Sequence, residues 1–160
     1  MDEREKQARR TVKNYMWWSM GAGLIPVPLI DLVAISGVQL KMLARLSKIY
    51  GVEFNENVGK ALIGSLLGYL VPKGLAGGTL GSILKSIPVI GPIMGLPSLV
   101  VFCGATTYAL GRVFTQHFAS GGTFLTFDAS KVKEYFEREF QEGCKLAEQM
   151  KAEGKADVAA

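Results

Sequence analysis

Side chains that perform catalysis or hold metals are few in this 160-residue sequence, and they lie far apart. The single histidine is His117, and the two cysteines are Cys103 and Cys144. A zinc site needs three or four such ligands in one place, which this set does not supply. The sequence also lacks the glycine-rich P-loop motif that cradles phosphates. We therefore expect a protein that is not an enzyme and that holds no metal or cofactor.

Asp31 has the most unusual position of the charged residues, because it follows Pro26 and Pro28 inside an apolar stretch. A carboxylate at membrane depth is costly and usually functional. In that setting Asp31 would be a buried or pore-lining charge, and Lys73 and Lys85 are candidate partners. The alternative interpretation is an ordinary acid in the first turn of a helix, where it complements the helix dipole.

Charge is distributed very unevenly along the chain. Hydrophobic residues make up 49% of the sequence, which excludes a disordered chain. Between residues 61 and 111 the only charged residues are Lys73 and Lys85. A stretch of this length is hard to bury inside a small monomer, so it indicates contact with lipid or with other copies. The net charge of +4 is not gathered into a basic patch with interleaved aromatics, so we expect no nucleic-acid binding.

Hydrophobic spacing predicts an all-α fold. Helices are expected over about 3–22, 28–50, 97–118 and 129–152, with residues 153–160 as a frayed tail. Gly51 is expected to end the second helix, and Asn55 or Asn57 to cap an apolar, glycine-rich stretch over 58–86. The predicted architecture is tandem helical hairpins with Pro/Gly-rich tips plus a C-terminal amphipathic helix. It divides into a membrane-associated hairpin domain with an apolar centre over 1–122, and an amphipathic helix and tail over 123–160.

Two breaks rich in proline and glycine resemble each other. Ile25–Val27 and Ile87–Val89 both read Ile-Pro-Val, and each is followed by another proline and a longer apolar helix. Each break places proline inside a long apolar run, so each run fits a half-inserted hairpin better than a simple membrane span. The candidate membrane-inserting tips are Pro26, Pro28, Pro88 and Pro92.

Three further groups of residues fit a membrane-associated module. Trp17 and Trp18 stand where charged sequence gives way to apolar sequence, which suits a membrane boundary but also a packed core. The basic residues of the second helix are candidates for contact with lipid headgroups, or form a solvated face: Lys41, Arg45 and Lys48. Closely spaced glycines let helices approach each other in lipid, and the candidates are Gly64, Gly68, Gly74, Gly78, Gly81, Gly91 and Gly95.

The segment Ile25–Gly51 resembles the uncharacterised helical family found fused to, or encoded beside, Era-like GTPases, which includes the YcjF-type inner-membrane proteins. The residues that carry the resemblance are Pro26, Pro28, Asp31, Gln39, Lys41, Met42 and Ile49–Gly51, with a looser match at Ile87–Gly91. The resemblance covers about residues 15–120 and brings no catalytic residues with it. It implies an all-helical, membrane-associated module that works with a separate GTPase.

Together these observations favour a non-enzymatic, membrane-associated helical protein that forms a homo-oligomer and acts as a scaffold or in membrane remodelling. The expected location is the inner membrane, with cytoplasmic termini. Membrane lipid and a separate GTPase are the expected partners. Two alternatives stay open. One is an oligomeric pore or transporter component, and the other is a soluble adaptor that buries its apolar centre in an assembly.

Overall fold

The computed structural model describes residues 2–22, 28–70 and 99–159 of the chain. These residues form five helices and no strand, which confirms the all-α prediction. The helices are α1 (Glu3–Ala22), α2 (Pro28–Tyr50), α3 (Glu56–Gly68), α4 (Leu99–Ala119) and α5 (Lys133–Ala159).

Local signals in the sequence set several helix ends. Pro28 begins α2, where its fixed φ suits the first turn and its missing N–H leaves no helical hydrogen bond unmade. Gly51 follows α2 with a φ of 69°, the left-handed conformation that glycine adopts at lowest cost. Asn55 caps α3, because its side-chain oxygen accepts a hydrogen bond from the backbone N–H of Val58 at 3.0 Å. Asn55 rather than Asn57 is therefore the cap.

The C-terminal helix differs from the prediction at both ends. Residues 129–132 form turns, and α5 begins at Lys133 instead of at 129. The tail expected over 153–160 is helical as far as Ala159. A reason lies in the packing of Gly154, where an added Cβ would lie 3.6 Å from the indole of Trp17. The late part of α5 therefore rests on α1 instead of standing alone in solvent.

The core lies around α4, which packs against α1, α2 and α5. Four phenylalanines from α4 and the following loop form its aromatic centre, with the rings of Phe114 and Phe127 stacked 4.5 Å apart. Beside them, Phe118 and Phe124 pack edge-to-face against each other. From α5, Phe136 belongs to the same core. The boundary predicted between 122 and 123 falls in the loop between α4 and α5, and residues on both sides of it share this core.

The helix ends gather at two opposite ends of the bundle. Val12 of α1 contacts Gly111, and Met20 contacts Gly104, so α1 and α4 run antiparallel. We call the side where Ala22, Pro28 and Leu99 lie the break end, because both Pro/Gly-rich stretches connect there. The opposite side, where α2 and α4 finish, is the loop end. Pro28 and Leu99, the first described residues after the two breaks, thus lie on the same side of the bundle, which is compatible with the tandem-hairpin prediction.

Candidate functional site

Two tryptophans are exposed on α1 towards the break end. The side chain of Trp18 is 71% exposed and that of Trp17 is 41% exposed. Gly154 of α5 lies over the Trp17 ring, whereas Trp18 is open to the surroundings. The packed-core interpretation of these two residues is therefore wrong. A tryptophan carries a large apolar ring and one N–H donor, which suits a surface that is apolar on one side and wet on the other.

The basic residues of α2 lie on the outer face of that helix. Lys41, Arg45 and Lys48 are all exposed, while Met42 and Leu46 on the opposite face are fully buried. None of the three cations forms an ion pair with another described residue, in contrast to Arg9 and Lys60. The stripe is thus an unneutralised positive face about 10 Å long.

Hydrogen bonds between neutral polar side chains join α2 to α4 in the buried interior. Gln39 is fully buried, and its Nε2 donates to the hydroxyls of Thr106 at 3.2 Å and Thr107 at 3.3 Å. Its Oε1 has no hydrogen-bond partner among the described residues. From α1, Ser19 donates to the backbone oxygen of Cys103 at 3.2 Å. These groups do not ionise near neutral pH, so we interpret them as fixing the register of three helices.

An ion pair joins α4 to α5 towards the loop end. Nε of Arg112 donates to Oε2 of Glu139 at 3.4 Å, and the two side chains are 27% and 12% exposed. Burial alone would lower the pKa of Arg112, but Tyr135, Tyr108 and Glu139 raise it above its ordinary value. Arg112 is therefore a permanent, half-buried positive charge. Sequence reasoning missed the pair, because its members lie far apart in the chain.

A cleft of about 550 Å³ opens beside Arg112 at the loop end. Four helices contribute to it. Asp2, Arg4 and Glu5 come from the start of the chain and α1, and Tyr50 comes from α2. From α4 come Arg112, Thr115, Gln116 and Phe118, and from α5 comes Tyr135. Burial raises the pKa of both Tyr50 and Tyr135, with acidic neighbours adding to the effect. Both phenols therefore stay protonated and can donate hydrogen bonds at neutral pH.

The residues that suggested chemistry at the outset are not brought together. His117 contacts the backbone oxygen of Thr123 at 2.8 Å, in the loop after α4. Cys103 is buried, and burial raises the pKa of the Cys144 thiol to about 11, with Glu148 adding to it. A thiol with that pKa is a poor nucleophile at neutral pH. No group of three or more metal-ligating side chains occurs among the described residues.

Much of the predicted site lies outside the described residues. Pro28 and Asp31 lie on α2, but their side chains are not described. The residues that lie outside entirely are Pro26, Lys73, Gly74, Gly78, Gly81, Lys85, Pro88, Gly91, Pro92 and Gly95. Their roles as inserting tips, buried charges and packing sites stay predictions. Within the ranges that are described, no helix is both long and apolar enough to cross a membrane.

Close helix packing occurs at glycines outside the set predicted for helix packing. An added Cβ on Gly143 would lie 2.9 Å from the backbone oxygen of Ala105, and one on Gly111 would lie 2.5 Å from Val12. At Gly64 and Gly68 on α3, by contrast, an added Cβ would meet no described residue within 4 Å. The predicted glycines of α3 therefore lie on an open face of this fold, and their packing against other helices stays a prediction.

Comparison with known proteins places the chain in a family. Residues 1–143 match the family described as a domain of unknown function, DUF697. The chain is 38% identical over 161 residues to a protein of Magnetospirillum gryphiswaldense named magnetosome membrane protein 22, a match that covers 98% of this chain and 83% of that protein. No solved structure matches. An uncharacterised helical family was the expectation from the resemblance, and on the extent of these matches the chain belongs to the DUF697 family.

Proposed function

We propose that this chain is a non-enzymatic, membrane-associated helical protein whose break end meets the lipid. The observation that carries the proposal is the exposure of Trp18 and Trp17 on the side where α1 ends and where α2 and α4 begin after the two Pro/Gly-rich breaks. An exposed indole is unfavourable in water but suits the headgroup level of a bilayer. The name of the Magnetospirillum relative, a membrane protein, supports the same assignment.

Vesicle flotation tests this proposal through Trp18. Replacing Trp18→Ser removes a ring that is 71% exposed, so the fold loses little, while lipid affinity is expected to fall roughly tenfold. Leu125→Ser is the matched control, because Leu125 is 82% exposed in the loop beyond the other end of α4. Equal flotation of the Trp18→Ser variant and the unmodified chain would contradict the proposal. So would an equal loss in the Leu125→Ser variant.

Contact of the α2 stripe with anionic lipid is the alternative to lipid contact through the break end, because Lys41, Arg45 and Lys48 lie in the half of α2 nearer the loop end. Lys41, Arg45 and Lys48 are exposed and have no acidic partner among the described residues. Each basic residue near an anionic membrane contributes about 1 kcal/mol, and the effect fades with added salt. Changing all three to Gln should therefore lower binding to anionic vesicles and leave binding to neutral vesicles unchanged. The same loss on both vesicle types would remove lipid contact by the stripe.

Self-association and a scaffold or membrane-remodelling role complete the proposal. An open face of small residues on α3, around Gly64 and Gly68, offers a surface on which another helix can lie closely. The resemblance to a family linked to Era-like GTPases adds a separate GTPase as the candidate partner. Sedimentation of the purified chain in detergent tests self-association, and a purely monomeric species at all concentrations would refute it.

A further inference from the structure

We propose that the loop-end cleft binds a small organic ligand through one oxyanion, a phosphate or carboxylate group held by Arg112. The cleft's volume of about 550 Å³ lies within the range of small-molecule sites. It far exceeds the size of a single inorganic anion, so it has room for an organic part beside the charged group.

The guanidinium of Arg112 is prepared for such a ligand. Its single hydrogen bond within the described part of the chain runs from Nε to Glu139, which holds the group in place and leaves both terminal nitrogens free. Those two nitrogens present the parallel donors that bind a carboxylate or phosphate in bidentate fashion. Partial burial, with 27% of the side chain exposed, strengthens such a contact relative to bulk water.

The walls of the cleft supply neutral donors and aromatic surface. The hydroxyls of Tyr50 and Tyr135 have no hydrogen-bond partner among the described residues. Arg138 lies 5.1 Å over the Tyr135 ring and steadies it. Phe118 adds apolar surface, and the buried hydroxyl of Thr115 is left without a partner in the wall. An organic group next to the anion would pack against these rings.

Charge balance at the rim limits the ligand to a low charge. Asp2 and Glu5 both line the cleft, but each has a cation of its own, Arg4 at 4.0 Å and Arg9 at 3.0 Å. Glu139 likewise offsets the charge of Arg112. The cleft is therefore close to neutral overall, which favours a ligand with one anionic group over a polyphosphate, since extra negative charge would meet these carboxylates.

The ligand is soluble instead of a lipid headgroup, and this one point rests on the proposed function. Glu5 at the cleft and Trp18 lie on the same helix, separated along its axis by about 20 Å. A bilayer that holds Trp18 at its surface would leave the cleft facing water. Phosphate groups of that bilayer would then lie beyond the reach of Arg112.

Calorimetry on the full chain in detergent, with phenyl phosphate and benzoate as probes, tests the proposal. Both should bind, and both should bind more tightly than inorganic phosphate. The paired change Arg112→Gln with Glu139→Gln keeps a hydrogen-bonding pair without buried charge, and it should weaken binding roughly tenfold or more. Arg45→Gln, which removes an exposed cation outside the cleft, is the control and should bind as the unmodified chain does.

A second variant keeps the test decisive if the paired change unfolds the protein. Gln116→Glu places a carboxylate on an exposed position of the cleft wall, and it should weaken both probes several-fold without loss of helicity. Failure of both probes to bind the unmodified chain overturns the proposal, as does unchanged affinity in Gln116→Glu. Binding of phosphatidic acid vesicles through Arg112, with no binding of either soluble probe, overturns it as well. Vesicle flotation by Trp18→Ser is measured separately, so failure of the membrane proposal is distinguishable from failure of this one.

Discussion

Glycine performs two different tasks in two parts of this bundle. Where α4 meets α1 and α5, Gly104, Gly111 and Gly143 sit under neighbouring atoms, and an added Cβ would collide at 2.5 to 2.9 Å. On α3, no described residue lies within 4 Å of a Cβ added at Gly64 or Gly68. Gly104 and Gly111 resemble the α3 pair in sequence, since all four lie in apolar helices, while Gly143 lies in the amphipathic α5. Neighbouring helices of the same chain cover the first group, whereas no described residue covers the second.

Within one helix, the glycines of each group are spaced so that they lie on the same face. Gly104 and Gly111 are two turns apart, so they share one face of α4 and receive Met20 and Val12 of a single helix. Gly64 and Gly68 are one turn apart and share a face of α3 in the same way. A helix needs such a face to approach another backbone closely. The difference is that α1 covers the α4 face, while no described residue covers the α3 face within 4 Å of an added Cβ.

Gly143→Ala should have the largest effect on stability. Its Cβ would lie 2.9 Å from the backbone oxygen and 3.0 Å from the Cα of Ala105, and backbone atoms cannot rotate out of the way. Moving α4 and α5 apart to fit the methyl group would cost about 3 kcal/mol, and alanine's better helix propensity would offset about 1 kcal/mol of that loss. Chemical denaturation should therefore show a loss of about 2 kcal/mol. A gain in stability would mean that α5 is not pressed against α4 in solution.

Gly111→Ala should destabilise the fold less, and in a way that a second change repairs. The new methyl group would meet the branched side chain of Val12, whose Cγ2 would lie 2.5 Å and whose Cβ would lie 3.1 Å from it. We expect a net loss of about 1 kcal/mol. Adding Val12→Ala makes room for the methyl group and should restore part of the loss. If the double variant is less stable than the sum of both single changes, α1 does not pack on Gly111 as described.

Features of the fold that depend on residues close together in the sequence could be predicted from the sequence. Pro28, Gly51 and Asn55 fix helix ends through their own backbone and side-chain chemistry, so the sequence located those ends correctly. Phe136 and Met150 are buried on one face of α5, as helical periodicity predicts for an amphipathic helix.

Contacts between distant segments could not be read in the same way. The Arg112–Glu139 pair and the loop-end cleft depend on how four helices meet. The collision at Gly143 depends on the backbone of Ala105, which periodicity does not locate. The sequence did indicate that glycines matter for packing, but it pointed to closely spaced pairs, of which only Gly64 and Gly68 on α3 lie among the described residues. The packed glycines of α4 and α5 are recognisable only once their neighbours are known.

Gly64→Ala should have the smallest effect on the monomer and the most informative one on assembly. No described residue lies within 4 Å of the added Cβ, so helix propensity is the effect expected and stability should rise by up to about 1 kcal/mol. Gly64→Leu fills the open face with a bulky group and should leave the monomer folded. If α3 supplies the surface between copies, sedimentation will show dimers or larger species for Gly64→Ala but only monomers for Gly64→Leu.

A leucine on the outer face of another helix separates this effect from general loss of solubility. Arg45→Leu adds the same side chain to an exposed position on α2, and self-association should persist there. Equal association of Gly64→Leu and the unmodified chain would show that the open face of α3 is not used between copies. The two groups of glycines would then differ only in whether other residues of the same monomer cover them. Loss of association confined to Gly64→Leu would instead mean that the same physical device, a helix face without side chains, joins helices within one chain at α4 and between chains at α3.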